Sequence, residues 1–81
     1  MSAQLHLELI MLSLEEGGHL NKKLRKKLEE QGKPFSMENM IYALMPDDVL
    51  ELVNVSRNTA INYIAQIRVS YRKMKMEDSF R

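Results

Sequence analysis

The positions of glycine and proline place the strongest limit on how this chain can fold. All three glycines and both prolines fall between residues 17 and 46, and neither residue type occurs from Arg57 to the C-terminus. Glycine favours the left-handed end of a helix, and proline lacks the backbone N–H that a helix interior needs. The chain is therefore divided into segments of helical length, of which the last is the longest.

Apolar residues in these segments recur every three to four positions, the spacing of one helix face. The first predicted helix covers 3–16, and its inward stripe is Leu5, Leu9 and Leu12, widened by Ile10 and Leu14. A second helix is predicted over 20–31, where leucine repeats every four residues. Ser36 is a suitable N-cap for a third helix, and Pro46 suits the first turn of a short fourth helix over 46–53.

A fifth helix is predicted to begin at Arg57, after a cap by Ser56. Its inward stripe, with spacings of four and three, is Ala60, Ile64, Ile67, Tyr71 and Met74. No segment shows the alternation of a β-strand. We therefore expect an all-α domain over residues 1–81, a compact array of four to five helices without a β-wing.

Composition excludes several functional classes. The chain has 81 residues and no cysteine, so it forms one domain without a disulfide framework. No apolar run reaches bilayer-spanning length, and the N-terminal segment lacks the basic start of a signal peptide, so we expect a cytoplasmic protein. His6 and His19 are far apart, and no nucleophile, acid and base occur in a catalytic pattern. We expect no metal, no cofactor and no enzyme activity.

Charge is arranged in blocks behind a net charge of +1. Residues 1–21 carry three acids and no lysine or arginine, whereas 22–33 carry six bases against two acids. Residues 34–56 carry four acids and no base, and 57–81 again carry six bases against two acids. Two separated basic blocks suit a protein that grips phosphates from two places, although solvated helix faces produce the same pattern.

The segment DVLELVNVSRNTAINYI, within residues 47–64, resembles the helix-turn-helix of bacterial and phage repressors of the lactose-repressor type. Val49 and Val53 match the inner face of the first helix, and Ser56 matches the cap of the second. The match departs from the family at Leu50, where alanine is preferred, and at Asn54, where glycine is usual. We expect Asn54 to adopt the left-handed conformation. The resemblance covers about a fifth of the chain, and the helix-turn-helix would span about 46–75.

This resemblance implies that helix 57–75 enters the major groove of double-stranded DNA. The expected base-reading residues are Arg57, Asn58, Ile61 and Asn62, because arginine and asparagine form bidentate bonds with guanine and adenine. Ser56 and Thr59 could meet a phosphate at the helix start. Further expected contacts to the DNA backbone come from Gln66, Arg68, Arg72 and Lys73.

The function expected on this basis is a small sequence-specific transcriptional regulator. Useful specificity normally requires two copies on a two-fold site, so we expect a homodimer with half-sites about 34 Å apart. Ile67, Tyr71 and Met74 are candidates for either the dimer interface or the core of one chain. The alternative function is an all-α adaptor or anti-regulator that binds another protein and no DNA.

Overall fold

A computed structural model describes residues 2–79 of the chain and the side chains of residues 2–77. It contains five α-helices, α1 Ala3–Leu14, α2 His19–Glu30, α3 Met37–Ala43, α4 Pro46–Leu50 and α5 Arg57–Ser79. No strand occurs within the described residues, which confirms the all-α prediction and the lack of a β-wing. Across this same part of the chain, no helix has the length and apolar character needed to cross a bilayer.

Local capping places the helix ends close to where the sequence predicts them. The Ser36 hydroxyl accepts the backbone N–H of Asn39 at 3.0 Å. Gly17 and Gly32 have positive φ angles of 87° and 69° and end α1 and α2. The fourth helix is shorter than predicted and ends at Leu50. Residues 51–53 form a turn instead of a further helical turn.

The inward face of α1 includes Ile10 and Leu14, as predicted, but not Leu5, Leu9 and Leu12. His6, Ile10 and Leu14 are buried, whereas Leu5, Leu9 and Leu12 are 48%, 42% and 58% exposed. Both sets have helical spacing, so periodicity alone does not distinguish them. A buried contact to α5 favours the first set, because His6 Nδ1 lies 2.9 Å from the Tyr63 hydroxyl.

The core is one cluster of buried side chains to which all five helices contribute. The leucines that repeat along α2 have essentially no exposed surface, and the inward residues of α5 are at most 5% exposed up to Ile67. Beyond Ile67 the predicted stripe leaves the core, since Tyr71 is half-buried and Met74 is 55% exposed. The principal buried residues are Leu20, Leu24, Leu28, Met40, Ile41, Leu44, Val49, Ala60, Tyr63, Ile64 and Ile67.

The prediction of a left-handed Asn54 is wrong. No non-glycine residue from 2 to 79 has a positive φ. The chain reverses earlier, where the N–H groups of Leu52 and Val53 both donate to the carbonyl of Val49 at 3.0 Å. Residues 54–56 then lead to α5 without a sharp left-handed corner, so glycine is not needed at 54.

Candidate nucleic-acid interface

The junction of α4 and α5 is the part of the fold in which the sequence predicts a helix-turn-helix. Val49, Val53, Ala60 and Ile64 are all buried, as the motif requires. Leu50 is only half-buried, so part of its larger side chain is in solvent. The corner therefore has the expected inner face, although α4 is only five residues long.

The start of α5 is capped by a pair of hydroxyl groups. The Ser56 hydroxyl accepts the N–H of Thr59 at 3.1 Å and lies 2.9 Å from the Thr59 hydroxyl, to which it donates. Ser56 is exposed and Thr59 is half-buried. The Ser56 hydroxyl thus both accepts and donates within the cap, and it has little capacity left to donate to a phosphate.

Polar side chains project from the outer side of α5. Asn58, Asn62, Gln66 and Lys73 are exposed, and Ile61 is 48% exposed among them. Asn58, Asn62 and Gln66 follow one another at intervals of four residues, which places them along one side of the helix. The structure thus brings together four of the predicted contact residues in the first three turns of α5.

Arg57 stands at the beginning of this surface, but its guanidinium is paired within the chain. Its Nη1 lies 2.7 Å from Oδ1 of Asp47 in α4. The side chains of Arg57 and Asp47 are 59% and 71% exposed. An ion pair this exposed is weak, because water solvates both groups. Arg57 can therefore leave Asp47 at little cost.

Arg68 and Arg72 contact α3. Nη2 of Arg68 donates to the carbonyls of Tyr42 and Leu44 at 3.3 and 3.4 Å, and its guanidinium lies 5.4 Å from the centre of the Tyr42 ring. Nη2 of Arg72 donates to the Tyr42 hydroxyl at 3.2 Å. These contacts join the middle of α5 to α3, so Arg68 and Arg72 stabilise the packing of these two helices.

Three of the six bases in the first basic block, Lys23, Arg25 and Lys27, also contact other parts of the chain. Lys23 lies 2.7 Å from Asp48 and 2.8 Å from Glu51, which ties α2 to α4. The two carboxylates raise the pKa of Lys23, and Lys23, helped by His19, lowers the pKa of Glu51. Lys27 donates to the carbonyl of Ala43 at 3.0 Å.

Arg25 stacks on an aromatic ring, with its guanidinium carbon 3.6 Å from the centre of the Phe35 ring. The remaining lysines of this block are exposed at positions 22, 26 and 33. The predicted binding of phosphates by two basic blocks would therefore involve fewer lysines and arginines than the sequence contains.

Sequence inspection missed three residues of this surface. Ala65 and Val69 are exposed on the outer side of α5, at the helical spacing of Asn58 and Asn62, and that spacing would have indicated them. Asp47 was missed as the partner of Arg57. No pattern within the sequence predicts that pair, because it depends on the angle between α4 and α5.

Comparison of the chain with protein-family models, with curated proteins and with solved structures found no match.

Proposed function

We propose that this protein is a small sequence-specific DNA-binding regulator in which the first turns of α5 enter the major groove. The main support is the row of exposed polar residues at the capped start of α5. That helix is held by a buried corner with α4. A recognition helix needs these features, because its N-terminal residues must reach the edges of the bases.

Arg57, Asn58 and Asn62 are assigned to base edges. Arginine can bond guanine O6 and N7 together, and asparagine can bond adenine N6 and N7. Ile61 and Ala65 supply apolar surface suited to thymine methyl groups. Gln66 and Lys73 lie further along α5, beyond these base-reading residues, and Arg68 and Arg72 contact α3.

Asp47 has a specific part in this proposal. Its carboxylate holds Arg57 in the free protein and would lie close to DNA phosphates in the complex. Binding must therefore exchange the Asp47 partner of Arg57 for a base or a phosphate. Because the ion pair with Asp47 must first be broken, the affinity for DNA is lower than it would be if Arg57 were unpaired.

We expect the protein to bind duplex DNA with an affinity that falls steeply as salt rises. Each lysine or arginine that neutralises a phosphate releases condensed counterions, and about three such contacts per chain give a log-log slope near −3. Fluorescence anisotropy with mixed duplexes at several salt concentrations measures this slope. Absence of binding at low salt would contradict the proposal and favour the adaptor function.

Asp47→Asn and Arg57→Ala should change DNA affinity in opposite directions. Asp47→Asn removes the competitor of Arg57, and we expect binding about two- to fivefold tighter, the value of an exposed ion pair. Arg57→Ala should weaken specific binding by about 1–2 kcal/mol. Both residues are exposed, so the free energy of unfolding should hardly change in either variant.

The double variant is the control for this pair. With Arg57 replaced, the part of the Asp47→Asn gain that comes from releasing the guanidinium should disappear. Tighter binding by Asp47→Asn that persists undiminished without Arg57 would rule out competition for the guanidinium.

A further inference from the structure

The outer face of α1 is apolar and solvent-exposed. Leu5, Leu9 and Leu12, here called the leucine stripe, follow one another along the side of α1 opposite the buried His6 and Ile10. A surface helix normally has one apolar face and one polar face. A contiguous exposed apolar patch on a small protein usually marks a contact surface.

A groove lies beside this helix, between α1 and the second half of α5. It encloses about 240 Å³, and its apolar lining comes from Leu7 and Met11 of α1 and from Ile67, Tyr71 and Met74 of α5. These α5 residues are the part of the predicted stripe that extends from the edge of the core into solvent. The groove is therefore an apolar concave surface, and it lies next to the leucine stripe of the same chain.

Charges around the two surfaces are opposite in sign. Glu8 and Glu15 lie on α1 beside Leu12, and residues 2–21 contain no lysine or arginine. On the second half of α5, Arg68 and Arg72 contact α3 and Lys75 pairs with Glu38, so Lys73 is the base beside the groove. The acid Glu77 lies one turn beyond Lys73. Exposed Lys73 lies one turn beyond Ser70, which lines the edge of the groove. An acidic ridge and a groove with a basic edge are complementary.

We propose that α1 and the second half of α5 form a homodimer interface, in which the leucine stripe of each protomer packs into the groove of its partner. A two-fold axis satisfies both surfaces at once, because each chain supplies one ridge and one groove. The acids on α1 place Glu8 of one protomer near Lys73 of the other. These same acids disfavour an anionic membrane as the occupant.

This interface leaves Asn58, Ile61 and Asn62 uncovered on the first half of α5. The dimer does not depend on DNA binding, and it can be tested without DNA. Failure to bind DNA with an intact dimer would reject the regulator function alone. A monomer that still binds DNA would reject the dimer alone.

Sedimentation equilibrium from micromolar to hundreds of micromolar protein should show a monomer–dimer equilibrium. Leu12→Lys should raise the dimer dissociation constant about tenfold or more, because it removes an apolar contact and faces the basic edge of the partner's groove. In the free chain, a lysine at this exposed site in the last turn of α1 complements the helix dipole. Circular dichroism should therefore show a folded variant.

Ile61→Lys is the matched control. Ile61 is exposed to a similar degree, 48% against 58% for Leu12, but it lies on the other half of α5. The same substitution there should leave the dimer dissociation constant unchanged. Equal weakening by both variants would contradict the assignment of the interface to α1.

A charge exchange tests the pairing across the interface. Glu8→Lys and Lys73→Glu should each weaken the dimer, and the double variant should recover most of the wild-type association. A wild-type chain that is monomeric at every concentration overturns the proposal. So does a dimer insensitive to Leu12→Lys, or a monomer that instead binds anionic phospholipid vesicles through the leucine stripe. Lack of recovery in the double variant overturns the pairing of Glu8 with Lys73.

Discussion

Gly18→Ala should destabilise the protein by about 2–4 kcal/mol, as expected for forced overpacking against a rigid neighbour. A Cβ at residue 18 would overlap the carbonyl oxygen of Ser13 and lie 2.6 Å from its carbonyl carbon. The flanking Leu14 and Leu20 are fully buried, so neither helix can shift without opening the core. For a domain of this size the melting temperature should fall by about 10–25 °C.

Gly17→Ala is the matched control for this prediction. Gly17 has a φ of +87°, but no atom lies within 4 Å of the position its Cβ would take. The cost is then only that of a left-handed alanine, about 1 kcal/mol. Urea unfolding of the two variants measures the difference. A Gly17→Ala variant as unstable as Gly18→Ala would mean that backbone conformation, and not close approach, governs this turn.

Asp48→Ala should cost about 2–3 kcal/mol of stability, because it removes a buried carboxylate that serves two partners. Oδ2 of Asp48 accepts the N–H of Met45 at 2.9 Å, and Oδ1 lies 2.7 Å from Nζ of Lys23. The Asp48 side chain is only 6% exposed. Its loss leaves the start of α4 without its cap and removes the closest tie between α2 and α4.

Asp47→Ala provides the comparison at the preceding residue. Asp47 is also in the first turn of α4 and also forms an ion pair, but its side chain is 71% exposed. We expect a cost below about 0.5 kcal/mol, because the pair with Arg57 is largely solvated. Thermal and urea unfolding of both variants would test this contrast. Similar losses for the two aspartates would show that burial does not determine their value.

Except for the end of α4, the helix boundaries could be predicted closely because local interactions set them. A cap such as Ser36 acts on an N–H three residues away, and the positive φ of Gly32 ends α2 without help from the rest of the chain. The buried residues of α2 were equally predictable. Leucine occupies one face of that helix, while lysine, arginine and glutamate occupy most of the others.

The inward face of α1 was not predictable by the same reasoning. Apolar residues occupy both of its long faces, so two choices satisfied the helical period. The contact between His6 and Tyr63, which are 57 positions apart, belongs to only one of them. The backbone conformation at Asn54 was also determined by other residues. The chain reverses before Asn54, because the N–H groups of Leu52 and Val53 both donate to the carbonyl of Val49.

The candidate interface also has one part that the sequence predicted and another that depended on the tertiary structure. Helical spacing from the Ser56 cap was enough to predict that Asn58, Asn62 and Gln66 share an exposed side of α5. The partners of the arginines depended on distant elements, since Arg57 pairs with Asp47 of α4 and Arg68 bonds carbonyls at the end of α3. Capping and helical periodicity act over one or two helical turns, so residues close together in the sequence determine them. Ion pairs between helices depend on packing angles, which arise only when the whole core assembles.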